Sequence, residues 1–195
     1  ILLAMYIAAA EQKGVPAKLL NGTVQNEVLK EYLARGTWIY PYGAAMRLTT
    51  DLFLWAKDHA PKINTITFSG YHPREAGADA VQEVAIAVSN AVQYLSEAQR
   101  RGLSKDDLAA IMAQVSWFMN LKLRTIEETA KIRALRRIWA AIAQEGFGIQ
   151  PTADMPPEQV KLYQRAAMAR IQTWSGGSDV RHEEKFYNNM ARNAV

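Results

Sequence analysis

Three short β-prone runs, at 19–25, 63–68 and 113–119, are separated by helical stretches, and this alternation most restricts what the chain can fold into. Strands parted by a helix cannot close as hairpins; they pair in parallel through crossover connections. The class is therefore α/β. The middle run is the clearest, with Thr65 and Thr67 alternating against Ile66 and Phe68. Three strands make neither a closed barrel nor a comfortable open sheet. The rest of the sheet is expected to be missing, divergent or supplied by another chain.

The helical stretches follow from apolar spacing and from the residues that stop them. Leu2, Leu3, Tyr6, Ile7 and Ala10 repeat over one helix that Gly14 and Pro16 end, and a short helix at 26–33 closes near Gly36. Residues 45–59 place Leu48, Leu52 and Trp55 on one side, and Pro61 breaks the helix. Val81, Val84, Val88, Val92 and Leu95 stripe a long helix over 78–101 that Gly102 closes. Ser104 is an N-cap with Asp107 three residues on, opening a helix to about 112. Residues 126–144 put Ile132, Leu135, Ile138 and Ile142 inward, with Lys131, Arg133, Arg136 and Arg137 outward as a solvated face. Pro151, Pro156 and Pro157 mark a linker at 150–157. An amphipathic helix is expected over 158–174, ended by Gly176 and Gly177, and then a polar helical tail over 181–192. The expected domains are 1–148 and a helical extension, 149–195.

The chain has 195 residues, enough for one core, and no cysteine, which excludes disulfides, thiolate metal sites and cysteine nucleophiles. No apolar run approaches the ~20 residues that cross a bilayer. The apolar start is too short to span and has no basic residues before it, which argues against a signal peptide. The chain does not begin with methionine, which reads as a fragment or a processed product. A net charge of +4 suits an anionic ligand without choosing one.

Specified chemistry gathers at 69–78, Ser-Gly-Tyr-His-Pro-Arg-Glu-Ala-Gly-Ala, between the middle strand and the long helix. In parallel α/β folds, ligands sit outside the carboxyl ends of the strands. Arg74 and Glu75 read as an ion pair at the helix start.

Two further stretches accompany this one: Gly-Thr-x-Gln-Asn at 22–26 and Ala-Arg-Gly-Thr at 34–37. Together with 46–85 and 127–140, they resemble the substrate-binding barrel of the cobalamin-dependent acyl-CoA mutases, over about residues 1–148. The resemblance implies a partial TIM barrel through which a CoA chain threads, with adenosylcobalamin bound by a domain or partner absent from this chain. It implies that Thr23, Val24 and Gln25 contact the thioester region and that Arg35 pairs with the acyl group. It implies that Lys62 lies near the CoA moiety, Tyr71 packs beside the reacting group, and His72 hydrogen-bonds the thioester carbonyl. Gln114, Val115 and Ser116 correspond to a segment that touches CoA. There the family has Arg-Leu-Ser, so Gln114 removes a charge.

Other readings stand beside these. His72 is otherwise a turn histidine, Arg35 a helix-end arginine and Lys62 a solvated residue, and Thr23 and Gln25 simply end a strand. Residues 150–195 are expected to resemble nothing in the family, and no cobalamin-ligand motif surrounds His59, His72 or His182. Two functions follow. The chain is the acyl-CoA-binding part of a mutase, incomplete alone, or a non-catalytic relative acting in assembly or regulation. The expected setting is the cytoplasm (the mitochondrial matrix in a eukaryote), within a homo- or hetero-oligomer. Neither a membrane nor nucleic acid is an expected partner.

Overall fold

A computed structural model describes residues 1–177; the polar tail expected over 181–192 and His182 lie outside the described residues. The α/β class holds, and the strands are parallel throughout. In chain order the elements are α1 (Leu2–Gln12), β1 (Gly22–Thr23), α2 (Leu29–Arg35), α3 (Tyr42–His59), β2 (Ile63–Asn64), β3 (Thr67–Ser69), α4 (Tyr71–Glu75), α5 (Ala80–Arg100), α6 (Lys105–Met112), β4 (Ser116–Leu121), α7 (Thr125–Ala141), α8 (Pro157–Ala166) and β5 (Arg170–Ser175). One sheet pairs β1 with β2, and the other runs β3-β4-β5. Because β2 and β3 are two stretches of one extended segment, the strands follow each other in sequence order. That is the arrangement of part of a barrel.

Parallel partners face the same side of a sheet. Phe68, Trp117, Met119 and Ile171 face the helices and join the main core with Tyr94, Leu95, Leu135 and Trp139. Thr67, Ser69, Ser116, Phe118 and Asn120 take the opposite face. The capping box read at Ser104 is formed, and Asp79 and Gln82 form another at the start of α5.

Several expectations need correction. The helix expected through residue 174 stops at Ala166, and Arg170–Ser175 pairs along β4 as a strand. Ile171, Thr173 and Trp174 favour a pleated surface, and an available neighbouring edge settles their state. On α7, Lys131 is buried in an ionic cluster while Ile138 is exposed; Trp139 takes the core position instead. Val81, placed on the buried stripe of α5, is 77% exposed.

That ionic cluster lies behind the carboxyl ends of the strands. The Lys131 ammonium donates to Glu83 Oε2 at 2.7 Å and contacts Glu128. Arg74 donates to Glu128 Oε1 (3.2 Å) and to the Ala78 carbonyl (2.8 Å). Arg74 thus reaches across to Glu128 and Ala78, while its neighbour Glu75 accepts from Asn120 Nδ2 at 2.6 Å. Burial pushes the Glu83 carboxyl up, against the attraction of Lys131.

Among the described residues no helix is long and apolar enough to cross a membrane.

Candidate functional site

The site begins at the turn from β3 into α4. Gly70 is required there because a Cβ would lie 2.6 Å from Glu83 Cγ and 3.1 Å from the Glu83 carbonyl oxygen. Its N–H donates to the Phe118 carbonyl at 3.0 Å, extending the β3–β4 ladder, and its own carbonyl accepts the Arg74 N–H. The turn is thus pinned on both sides, and Tyr71 and His72 emerge at the carboxyl ends of the strands.

Tyr71 stacks on Phe118 with ring centroids 4.7 Å apart, and Trp174 meets Phe118 edge-on at 5.1 Å. Trp174 is 56% exposed, so the three rings form an open aromatic floor. His72 stands beside it, half-buried, with Nδ1 2.7 Å from Ser69 Oγ. Burial, reinforced by the charges of Lys30 and Arg35 and opposed by Glu31, holds the His72 imidazole down at about 4. It is therefore neutral near neutrality, with one N–H and one lone pair.

Behind His72 is a carboxylate that sequence reasoning passed over. Glu27 is buried; its Oε2 accepts the Ser69 N–H and its Oε1 accepts Asn90 Nδ2, both at 2.6 Å. Burial pushes the Glu27 carboxyl up to about 7, against the Lys30 charge and these hydrogen bonds. The buried Lys30 ammonium donates to the Glu27 carbonyl at 3.3 Å and pairs with Glu31 at 3.5 Å. The start of α2 is fixed from α5: the Tyr94 hydroxyl accepts both the Val28 and Leu29 N–H groups, at 2.8 and 3.1 Å. That bond meets the need of an N-terminus without a side-chain cap of its own. It also orients α2, whose far end carries Arg35. Arg35 is 56% exposed at its side chain and bridges Glu31 at 3.2 Å, one helical turn back.

The remaining expected residues lie elsewhere. Thr23, Val24 and Gln25 line a groove of about 1030 Å³ between α1 and α3, with Leu48, Leu52 and Trp55 on its wall. Lys62 is exposed just before β2, at the amino end of the strands. Gln114 donates to the carbonyl of Pro61 next to it. Val115 has its side chain in the core. Ser116 Oγ accepts from Asn64 Nδ2 at 3.0 Å and lies 2.9 Å from Thr67 Oγ1. The expected site is thus divided between two ends of one extended segment, Ile63 to Ser69, about 20 Å apart at ~3.3 Å per residue.

Ser69 and Glu27 were missed for different reasons. Ser69 opens the Ser-Gly-Tyr-His stretch, and its spacing to His72 was a usable signal. Glu27 follows Gln25 and Asn26, but nothing local says that the chain folds this carboxylate under Ser69. Among the described residues no group of three or more His, Asp or Glu is placed to hold a metal ion.

Comparison with known proteins agrees with this architecture. The model of the family described as methylmalonyl-CoA mutase matches residues 1–195. The match runs through residues 150–195, which corrects the expectation that they resemble nothing in the family. Similar curated proteins are a probable mitochondrial methylmalonyl-CoA mutase of Caenorhabditis elegans (38% identical over 194 residues) and the methylmalonyl-CoA mutase of Escherichia coli K12 (38% over 194). A third is the methylmalonyl-CoA mutase large subunit of Streptomyces virginiae, 35% identical over 195 residues. All of this chain is covered in each case, against 24%, 25% and 24% of the respective relatives, so the chain spans about a quarter of their length. With the whole chain matched and the parallel strand order in place, the chain belongs to the methylmalonyl-CoA mutase family.

Proposed function

We propose that this chain is the acyl-CoA-binding part of a cobalamin-dependent mutase, rearranging an acyl-CoA such as methylmalonyl-CoA, and that it is incomplete on its own. The observation that carries the reading is the placement of His72 at the carboxyl end of the strands, held by Ser69 beside an open aromatic floor. A neutral imidazole N–H donates to a thioester oxygen and stabilises the charge that builds there, without handing over its proton. Arg35 supplies a planar fork for an acyl carboxylate, for which it would leave Glu31. Tyr71 and Phe118 present ring faces that exclude water from the reacting group.

The long separation between the two groups of residues supports an extended ligand. Its acyl end lies by His72, and its polar end runs toward Ser116, Gln114 and Lys62. Thr23, Val24 and Gln25 stand along the neighbouring strand. Adenosylcobalamin, when bound, supplies the radical that starts the rearrangement. The open aromatic floor of Tyr71, Phe118 and Trp174 fits one side of a large flat group. A separate cobalamin-binding domain or subunit completes the site, within a homo- or hetero-oligomer in the cytoplasm or the mitochondrial matrix.

A second reading, a non-catalytic relative serving assembly or regulation, is favoured by one observation: Gln114 spends its amide on the Pro61 carbonyl and offers no charge to a phosphate.

Calorimetric titration of the chain, alone and with its cobalamin-binding partner, with methylmalonyl-CoA tests the choice. The expected result is binding that His72→Ala and Arg35→Ala each weaken by about tenfold or more, the scale of a charge-assisted hydrogen bond. No binding by either preparation removes the enzymatic reading.

A further inference from the structure

Ser69 has no part in the function proposed above, yet it is among the most tightly held residues of the site. It is wholly buried; its N–H is fixed by Glu27, and Glu27 is fixed by Asn90 of α5. Its hydroxyl lies 2.7 Å from His72 Nδ1, and among the described residues that nitrogen is its hydrogen-bond partner. Two arrangements share this geometry. If Nδ1 carried the proton, Ser69 Oγ would accept it, and the hydroxyl proton would be buried without an acceptor. If Ser69 donates, its proton is satisfied, Nδ1 is the acceptor, and the single ring proton sits on Nε2. The second arrangement satisfies both groups.

We infer that Ser69 is a positioning residue that holds His72 in the Nε2–H tautomer, and that Glu27 and Asn90 hold Ser69 in place for it. The consequence rests on the proposed function: a thioester carbonyl needs a donor, and a ring with its proton on Nδ1 would turn a lone pair toward an Nε2-side ligand. The Gly70 turn keeps the spacing, because between Ser69 and His72 its N–H is bonded to the Phe118 carbonyl and its carbonyl to the Arg74 N–H. The chain Asn90–Glu27–Ser69–His72 thus ties α5 to the imidazole through one backbone and three side-chain groups.

Nitrogen-15 NMR of the histidine rings at about pH 7 tests this directly. The chain has three histidines, and the His72 signals are those lost in His72→Gln. The expected result is Nε2–H in the unsubstituted chain, a mixture in Ser69→Ala, and an intermediate ratio in Ser69→Cys, whose thiol is a weaker donor of similar size. Nδ1–H in the unsubstituted chain, or an unchanged ratio in Ser69→Ala, overturns the inference. Should Ser69→Ala not fold, the unsubstituted chain and Ser69→Cys decide on the same criteria. Methylmalonyl-CoA affinity should fall with the Nε2–H fraction, about twofold when the two tautomers become equal. The ring spectrum needs no ligand, so a chain that binds no thioester but keeps Nε2–H ends the proposed function and leaves the role of Ser69 standing.

Discussion

The two layers of the molecule are built differently. The body around β3, β4 and β5 buries large side chains from α5, α6, α7 and α8, and even its charges are enclosed, as with Arg74, Glu83, Glu128 and Lys131. The outer amino-terminal layer of α1, β1 and β2 has a small second core of Leu20, Ala60 and Ile63, on which α1 rests with no fully buried residue, while α2 and α3 send Leu29, Tyr32, Met46 and Phe53 into the main core. The site lies on the seam: Glu27 precedes α2, Ser69 ends β3, and one short hydrogen bond joins them. A rigid body thus holds the imidazole, while the groove lined by Thr23 and Gln25 belongs to the looser layer.

The sharpest way to break this contrast is at Trp139, whose indole N–H donates to the Ala166 carbonyl at 2.9 Å inside the main core. Trp139→Ala should cost about 3–5 kcal/mol in urea unfolding. Lys131→Ala should cost a similar ~3–5 kcal/mol, because Arg74 alone is left to face both Glu83 and Glu128 in the interior. If either loss is under ~1 kcal/mol, the body is not the rigid half of the comparison. Tyr94→Phe removes the acceptor for Val28 and Leu29 and should cost about 1–3 kcal/mol. Hydrogen exchange should rise at those two amides before it rises in α5.

The seam has a signed pH response. Glu27 is raised from 4.5 to about 7, so the folded state binds the extra proton between those values and stability falls as pH rises through them. His72 is lowered from 6.5 to about 4, so the unfolded state binds the extra proton there and stability falls as pH drops through that window. The two slopes oppose each other across about pH 4.5–6.5. Melting temperatures of Glu27→Gln should therefore gain on the parent as pH rises from 4.5 to 7, and those of His72→Gln should gain on it as pH falls from 6.5 to 4. Parallel profiles for the three proteins would show that neither group senses folding. The smallest effect is expected in the outer layer: Ile7→Ala on α1 should cost less than about 1 kcal/mol.

Much of this was readable in one dimension where the causes are local. The Ser104–Asp107 capping box, the turn at Gly102 and the strand beginning at Ile63 depend on residues within a few positions of one another. Errors came where the partner is distant. Arg170–Ser175 has the composition of either state until β4 offers it an edge. Lys131 sits among Arg133, Arg136 and Arg137, and only the approach of Glu83 from α5 makes its burial tolerable. The motif residues behave the same way: Tyr71 and His72 stand out because the stretch around them is distinctive, whereas Phe118 and Trp174 join them only through strand pairing.

By itself the sequence determined the α/β class, the parallel sense of the strands, the family, and the turn that carries Tyr71 and His72, because periodicity, helix stops and short motifs are written in neighbouring residues. Tertiary structure alone decided that Glu27 is buried beneath Ser69, that Arg35 comes close enough to act on His72, and that Lys62 and Gln114 fall at the far end of the strands. Those facts depend on which surfaces exclude water together, and burial is a property of the packed chain, not of any segment within it.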